Sequence, residues 1–314
     1  VSGPVALTEA PVVPDCGQPA DACVEVTESH AATVGHFTVR RALPRRGRRT
    51  VGAWCFADHM GPADVTETSG LDIGPHPHIG LQTVTWLLDG EALHHDSLGS
   101  EQLIAPGQLN LMTAGHGVSH SEEATGRYRG RLEGIQLWVA LPDATRNGAP
   151  AFEHHGDLPR VDLSGATATI LIGQLGSATS PARHDTPLTG IDLDFHGGAA
   201  EVPLQPEWEY ALIVLRGAVE LAGLGGQQIT PGHLAYLGEH REELTLRGDR
   251  GTRALLLGGE PFCERILMWW NFVARTVDEF AAARDAWQQA DQRFGTVDSQ
   301  LLRIPAPAPY WPSS

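Results

Sequence analysis

The sequence predicts an all-β protein built from two copies of one barrel and followed by a single helix. Three observations carry that prediction. Turn residues are dense, with 36 glycines and 22 prolines in 314 residues punctuating short runs of β-branched and aromatic side chains. Those runs repeat: WEYALIVLRGAVELAG matches LQTVTWLLDGEALHH, with Gly217 standing 127 residues after Gly90. QQITPGHLAYLG matches EQLIAPGQLNLM, with Pro231 and Gly232 standing 125 residues after Pro106 and Gly107. Helical periodicity occurs clearly once, in TVDEFAAARDAWQQADQRFG. There Thr276 and Glu279 form a capping box, Val277, Phe280, Ala281, Arg284 and Trp287 share a face, and Gly295 follows the end.

Taken in order, residues 1–32 are poor in aromatics and rich in Pro, Ala and acids, which predicts a disordered tail. Order is expected from Thr33, and a first barrel over residues 33–150. HFTVRRALP and TVGAWCFADHMGP read as short strands. RRALPRRGRR between them places six arginines in ten positions and reads as a solvated turn. From His76 strand follows strand, with Asp89-Gly90 and Pro106-Gly107 as tight turns. Residues 151–314 are expected to hold the second barrel, the helix and an extended Pro-rich tail. Within them PFCERILMWWNFV is dense enough in large apolar residues to be a strand or hook packed across the two halves.

Composition narrows the function classes. The formal net charge of −16 argues against direct nucleic-acid binding, which needs a basic face. No apolar run is long enough to span a bilayer. Four cysteines are too few for a disulfide scaffold, although Cys16 and Cys23 are close enough in sequence to oxidise together. The N-terminus shows no basic segment followed by an apolar core, so the expectation is a cytoplasmic protein.

The chemistry concentrates in HPHIGLQTVTWLLDG and HGVSHSEE. His76 and His78 stand at i and i+2, as do His120 and Glu122. In an extended strand each pair projects to one side of the sheet. Two such pairs face to face offer three imidazoles and one carboxylate, a set that suits iron, copper, nickel, manganese or zinc. Glu123, one position from Glu122, should point away. The bland alternatives are a loop edge at His76 and His78 and a hydrogen-bonded strand-end histidine at His120. His94, His95 and His116 are expected to support the ligands or lie on the surface. Aligning the repeats puts Pro203 and Gln205 where His76 and His78 stand, and Thr245 and Arg247 near His120 and Glu122, so only the first barrel is expected to bind metal.

HPHIGLQTVTWLLDG, HHDSLG, APGQLNLMTAGHGVSHSEE and MWWNFVART resemble the signature segments of the pirin family, a branch of the cupin superfamily, over about Val34 to Pro309. The resemblance implies a bicupin: two stacked antiparallel β-barrels of jelly-roll type, with His76, His78, His120 and Glu122 as ligands in the first. It implies one divalent metal ion, Fe(II) first, with Mn, Co, Ni, Cu or Zn as alternatives. Several bacterial pirins are quercetin 2,3-dioxygenases, so the expected reaction is oxidative ring cleavage of a flavonol with release of carbon monoxide. The partners are then a small flavonoid-like aromatic and dioxygen. In that scheme Glu122 is also the catalytic base, and Trp86 and Met112 are candidate walls of the substrate site. The alternative the resemblance implies is a non-catalytic iron-binding redox sensor that acts on a protein partner. Ile79, Gln82 and His116 depart from common family residues, which bears on the pocket and leaves the ligands intact.

Overall fold

Strand-forming segments pair in antiparallel ladders across residues 24–35, 37–66 and 70–309, the residues described by the computed structural model. The strands of the first half are β1 (Glu25–Glu28), β2 (His30–Val34), β3 (Phe37–Leu43), β4 (Trp54–Val65), β5 (Ile73–His78) and β6 (Leu81–Asp89). They continue as β7 (Ala92–Asp96), β8 (Glu101–Ile104), β9 (Leu109–Thr113), β10 (Val118–Glu123), β11 (Gly130–Ala140) and β12 (Ala151–His155). A seven-stranded sheet runs β12-β9-β6-β11-β4-β3-β2, and a four-stranded sheet runs β5-β10-β7-β8. Strand β6 is buried from Leu81 to Leu88 because both its faces are covered. Thr85 faces the interior of the first barrel, where it bonds Gln136, whereas Val84 and Trp86 pack in a cluster that includes Ile213 and Leu255 of the second.

The second barrel repeats the pattern with strands Ser164–Ile172, Leu188–Pro203, Glu209–Arg216, His233–Gly238, Glu243–Gly248 and Arg253–Gly259 in a curled ten-stranded sheet. Its sixteen-residue strand Leu188–Pro203 serves both layers. The early part pairs with Arg253–Gly259 and the last part with Glu243–Gly248. The bend between them falls at Gly197 and Gly198, whose φ of 104° and 99° only glycine adopts readily. The duplicated strands β6 and Glu209–Arg216 are both interior members of their sheets, as the sequence repeat implies. One apolar cluster runs through the joint between the barrels, and a second fills the interior of the C-terminal one.

Several expectations need correction. Strands β1 and β2 occupy part of the stretch read as a disordered tail; β1 pairs with His233–Gly238 of the second barrel, and β2 pairs with β3 of the first. Cys16 and Cys23 lie outside the described residues. Strand β12 pairs with β9, so the first barrel runs past position 150. The arginine-rich stretch is half strand: Arg41 is buried and bidentate to Asp58 at 2.7 and 2.6 Å, and Arg48 lies over the Tyr236 ring. The helix runs Val277–Gln288, with Thr276 Oγ1 accepting from the Glu279 N–H as predicted. The Glu279 carboxylate, however, accepts from the Arg275 N–H and pairs with Arg146 instead of closing the box on Thr276. Gly295 closes a later 3-10 turn, Gln292–Phe294, and not the helix. The apolar hook is a hairpin of Leu267–Trp269 and Phe272–Ala274. It packs with the helix against Ile79 of the first barrel, while Phe262, Ile266, Met268 and Val273 join the cluster that holds Leu188, Ile213 and Leu257 of the second, so the stretch lies across the two halves as expected.

Candidate metal centre

Strand β10 lies between β5 and β7, and its register places His120 opposite His76 on one side and Asp96 on the other. Directly opposed residues share a face, so these side chains point together into the first barrel. His78, two positions from His76, joins them. Among the described residues, His76, His78 and His120 are the one group of three or more potential ligands whose donor atoms all lie within 4.8 Å of one another. All three are buried.

Their ring nitrogens are already sorted. His76 Nδ1 lies 2.9 Å from the Gly74 carbonyl and His78 Nδ1 lies 3.1 Å from the Asn271 carbonyl. A carbonyl only accepts, so both Nδ1 atoms carry the hydrogen and both Nε2 atoms are left bare. The Nε2 atoms of His78 and His120 stand 3.1 Å apart. Two nitrogens bound at right angles to one ion, each at the ~2.0–2.1 Å of a metal–imidazole bond, would be about 2.9 Å apart. Burial first, and then the mutual repulsion of the rings, hold all three histidines well below their ordinary pKa. Neutral imidazoles with converging lone pairs, each backed by an outer hydrogen bond, fit a divalent transition metal.

Glu122 reaches the same cavity but not the same cluster. The β10–β5 ladder slips between His120, opposite His76, and Glu122, opposite Ile73. The extra residue lies in β5, while β10 pairs with β7 in unbroken register, so Glu122 keeps the face of His120 that i, i+2 spacing predicts and its carboxylate turns toward Thr85. Its Oε1 lies 3.4 Å from the Thr85 hydroxyl. Burial raises its pKa, with His94 and Thr85 pulling the other way. Glu123 turns aside as expected, accepting from Ser121 Oγ at 2.7 Å and lying 3.3 Å from His95.

A small cavity, partly open to solvent, connects these groups. Its walls include Phe56, Asp58 and Met60 from β4, Gln136 and Trp138 from β11, and Val34, Val39, Ile73 and Asn271. Phe56 and Trp138 stack at 4.0 Å, and His78 meets the Trp138 ring edge-on at 5.3 Å. Trp86 and Met112 are not among its walls. Trp86 follows Thr85 by one position, so it faces the joint with the second barrel. Met112 opposes Thr83 and Phe152 and is buried in the core beside the cavity. The wall residues carried one sequence signal: Gln136 and Asp58 are polar positions inside apolar strands, and the ladder pairs them directly. His94 is buried and supports the site, whereas His116 is exposed, with Nδ1 3.0 Å from the Gly148 carbonyl. No helix among the described residues is long and apolar enough to cross a membrane.

A duplicated β-barrel with a buried histidine triad in its first copy is the arrangement of a metal-binding bicupin. The sequence matches the Pirin family over residues 36–139 and the Pirin C-terminal cupin domain over residues 191–295. The chain belongs to the pirin family. It is 47% identical over 300 residues to a Pseudomonas aeruginosa protein provisionally named a quercetin 2,3-dioxygenase, covering 95% of this chain and 94% of that one. A pirin-like protein of Caulobacter vibrioides is 34% identical across 89% of this chain and 98% of its own length. The crystal structure of a quercetin 2,3-dioxygenase from Acinetobacter baumannii superposes with a TM-score of 0.88 at 44% identity, covering 93% of this chain and 97% of that one. A bacterial pirin from Escherichia coli, solved in complex with nickel(II), shares the fold at a TM-score of 0.60 and 16% identity, over 76% of this chain and 99% of its own.

Proposed function

We propose that this chain is a metal-dependent dioxygenase that opens the heterocycle of a flavonol such as quercetin and releases carbon monoxide. The observation that carries the reading is a cavity with aromatic walls that ends on three buried histidines with converging ring nitrogens and one buried carboxylate. Relatives named as quercetin 2,3-dioxygenases support the same chemistry. His76, His78 and His120 would hold the ion, with Glu122 as fourth ligand after a change of rotamer. The proposed metal is Fe(II), which when bound supplies a Lewis-acidic, redox-active centre for substrate and dioxygen.

The rest falls to the chain's own residues. Phe56 and Trp138, stacked face to face, give the cavity an aromatic lining for a planar ring system. Glu122 takes the proton of the flavonol 3-hydroxyl, and burial, which raises its pKa, makes it the stronger base for that transfer. Asp58, locked by Arg41, and Gln136, which accepts from Thr85, offer fixed polar contacts to ring hydroxyls. Met60, Val39 and Ile73 exclude water from the reacting ring.

The test is anaerobic reconstitution with Fe(II), Mn, Co, Ni, Cu or Zn, followed by quercetin and oxygen, reading flavonol absorbance and carbon monoxide. Turnover is expected with iron, abolished in His76→Ala and reduced roughly 10²–10⁴-fold in Glu122→Ala. Tight metal binding without flavonol loss under any metal would sink the dioxygenase and leave the redox-sensor reading.

A further inference from the structure

We propose that His94 and Asp96 are positioning residues that fix and polarise His120 as a metal ligand, through an unbroken hydrogen-bond chain from its Nδ1 to the turn at residues 97–100. The chain is geometric. His120 Nδ1 lies 3.4 Å from His94 Nδ1, and His94 Nε2 lies 3.1 Å from Asp96 Oδ2. Asp96 Oδ1 accepts from the N–H groups of Leu98 at 2.9 Å and Ser100 at 3.0 Å. His94, Asp96 and His120 are 5%, 3% and 1% exposed, so water does not compete for these bonds. The His94 ring is stacked on Phe152, 4.3 Å away and 13° from parallel, which fixes its plane.

Donor and acceptor roles follow in one order. The Asp96 carboxylate only accepts, so His94 Nε2 carries the hydrogen, which in a neutral ring leaves His94 Nδ1 bare. A bare His94 Nδ1 accepts from His120, so the His120 hydrogen is on Nδ1. His120 Nε2 is then the bare atom, and it is the one that points at His78 Nε2. Burial alone would raise the Asp96 pKa, but bonds from His94 and Ser100 hold it below its ordinary value, which keeps it an acceptor. His76 and His78 donate instead to backbone carbonyls. One ligand of the triad therefore leans on an anion and the other two on neutral dipoles. A carboxylate behind an imidazole makes it the more basic ligand and favours the more highly charged ion.

The inference rests on the reading that the triad binds metal, and the experiment separates the two. In zinc-loaded protein with ¹⁵N-labelled histidine, NMR is expected to show His94 protonated on Nε2 and bare on Nδ1, and His120 protonated on Nδ1. His94→Phe is expected to weaken Co(II) binding 10–100-fold, to change the Co(II) ligand-field spectrum and to move the Fe(III)/Fe(II) potential to more positive values. His94→Gln, whose side-chain oxygen still accepts from His120, should recover part of each change, and Asp96→Asn should fall between. A role in packing alone would leave the tautomers and the potential of folded variants untouched. His94 protonated on Nδ1, or folded variants with wild-type affinity and potential, overturns the proposal. Should His94→Phe not fold, the tautomers and Asp96→Asn decide. Wild-type protein that binds neither cobalt nor zinc removes the metal centre itself, and this proposal with it.

Discussion

At the scale of single residues, the charge held most firmly is Glu133, on the opposite face of β11 from the cavity. It is fully buried and accepts from His59 Nε2 at 3.1 Å, Arg131 at 2.6 Å and Arg216, in the second barrel, at 2.8 Å. Burial pushes its pKa up, but these three donors outweigh that and bring it down from 4.5 to about 2. The folded-state value lies below the unfolded one, so the stabilisation is complete above pH 4.5 and is lost as pH falls toward 2. On the order of 3 kcal/mol is at stake. Acid titration of unfolding free energy should show this slope, and Glu133→Gln should flatten it; an unchanged slope would assign the acid sensitivity elsewhere. The triad was legible at this scale because strand alternation is regular and HxH spacing survives it. The face of Glu122 was legible too, but the turn of its carboxylate toward Thr85 was not, since spacing does not encode a side chain's rotamer. Trp86 misled for a related reason: a strand buried on both faces gives no apolar alternation from which to read direction.

Among the elements, the hairpin Leu267–Trp269/Phe272–Ala274 matters beyond its size, because it supplies the carbonyl that orients His78 and closes over Gly80. Gly80 has φ of 68°, and a Cβ there would stand 2.2 Å from the Val273 carbonyl oxygen. Gly107, with φ of 85°, has nothing within 4 Å. Alanine at Gly107 should cost only the left-handed backbone penalty of ~1–2 kcal/mol. Alanine at Gly80 should cost at least ~2 kcal/mol more, as an overpacked contact on backbone cannot relax by rotamer change. It should also weaken metal binding, whereas Gly107→Ala should not. Thermal melts with and without Co(II) check both, and equal losses would mean the hairpin is not rigidly seated. The helix was legible from its cap and its face, and the hairpin from its density of large apolar residues. Its docking site was not, because contacts separated by almost two hundred residues leave no local pattern.

Over the whole molecule, the two barrels are joined by a shared core and not by a linker. Trp54 Nε1 donates to the carbonyls of Thr189 at 3.1 Å and Gly258 at 3.2 Å, and the Gly52 N–H donates to Glu209 at 2.6 Å. Scanning calorimetry should therefore give one transition with matching calorimetric and van't Hoff enthalpies. Trp54→Ala, which empties a fully buried site at the joint, should lower stability by ~3–5 kcal/mol. Two resolved transitions in the wild type would contradict a common core. The duplication itself was plain in the repeated strand and turn motifs. The joint was not, because its residues read as ordinary apolar positions of each copy.

Strand β1 gives this architecture an order in time. Its partner begins at His233, so β1 has no edge to join until about two hundred more residues have been made. At ordinary translation speeds of ~5–20 residues per second, that wait is roughly 10–40 s. Strand β2, a residue further on, finds β3 almost at once. The nascent chain thus pairs β1 late, and until then it carries an unpaired strand open to capture by a chaperone or a neighbouring polypeptide.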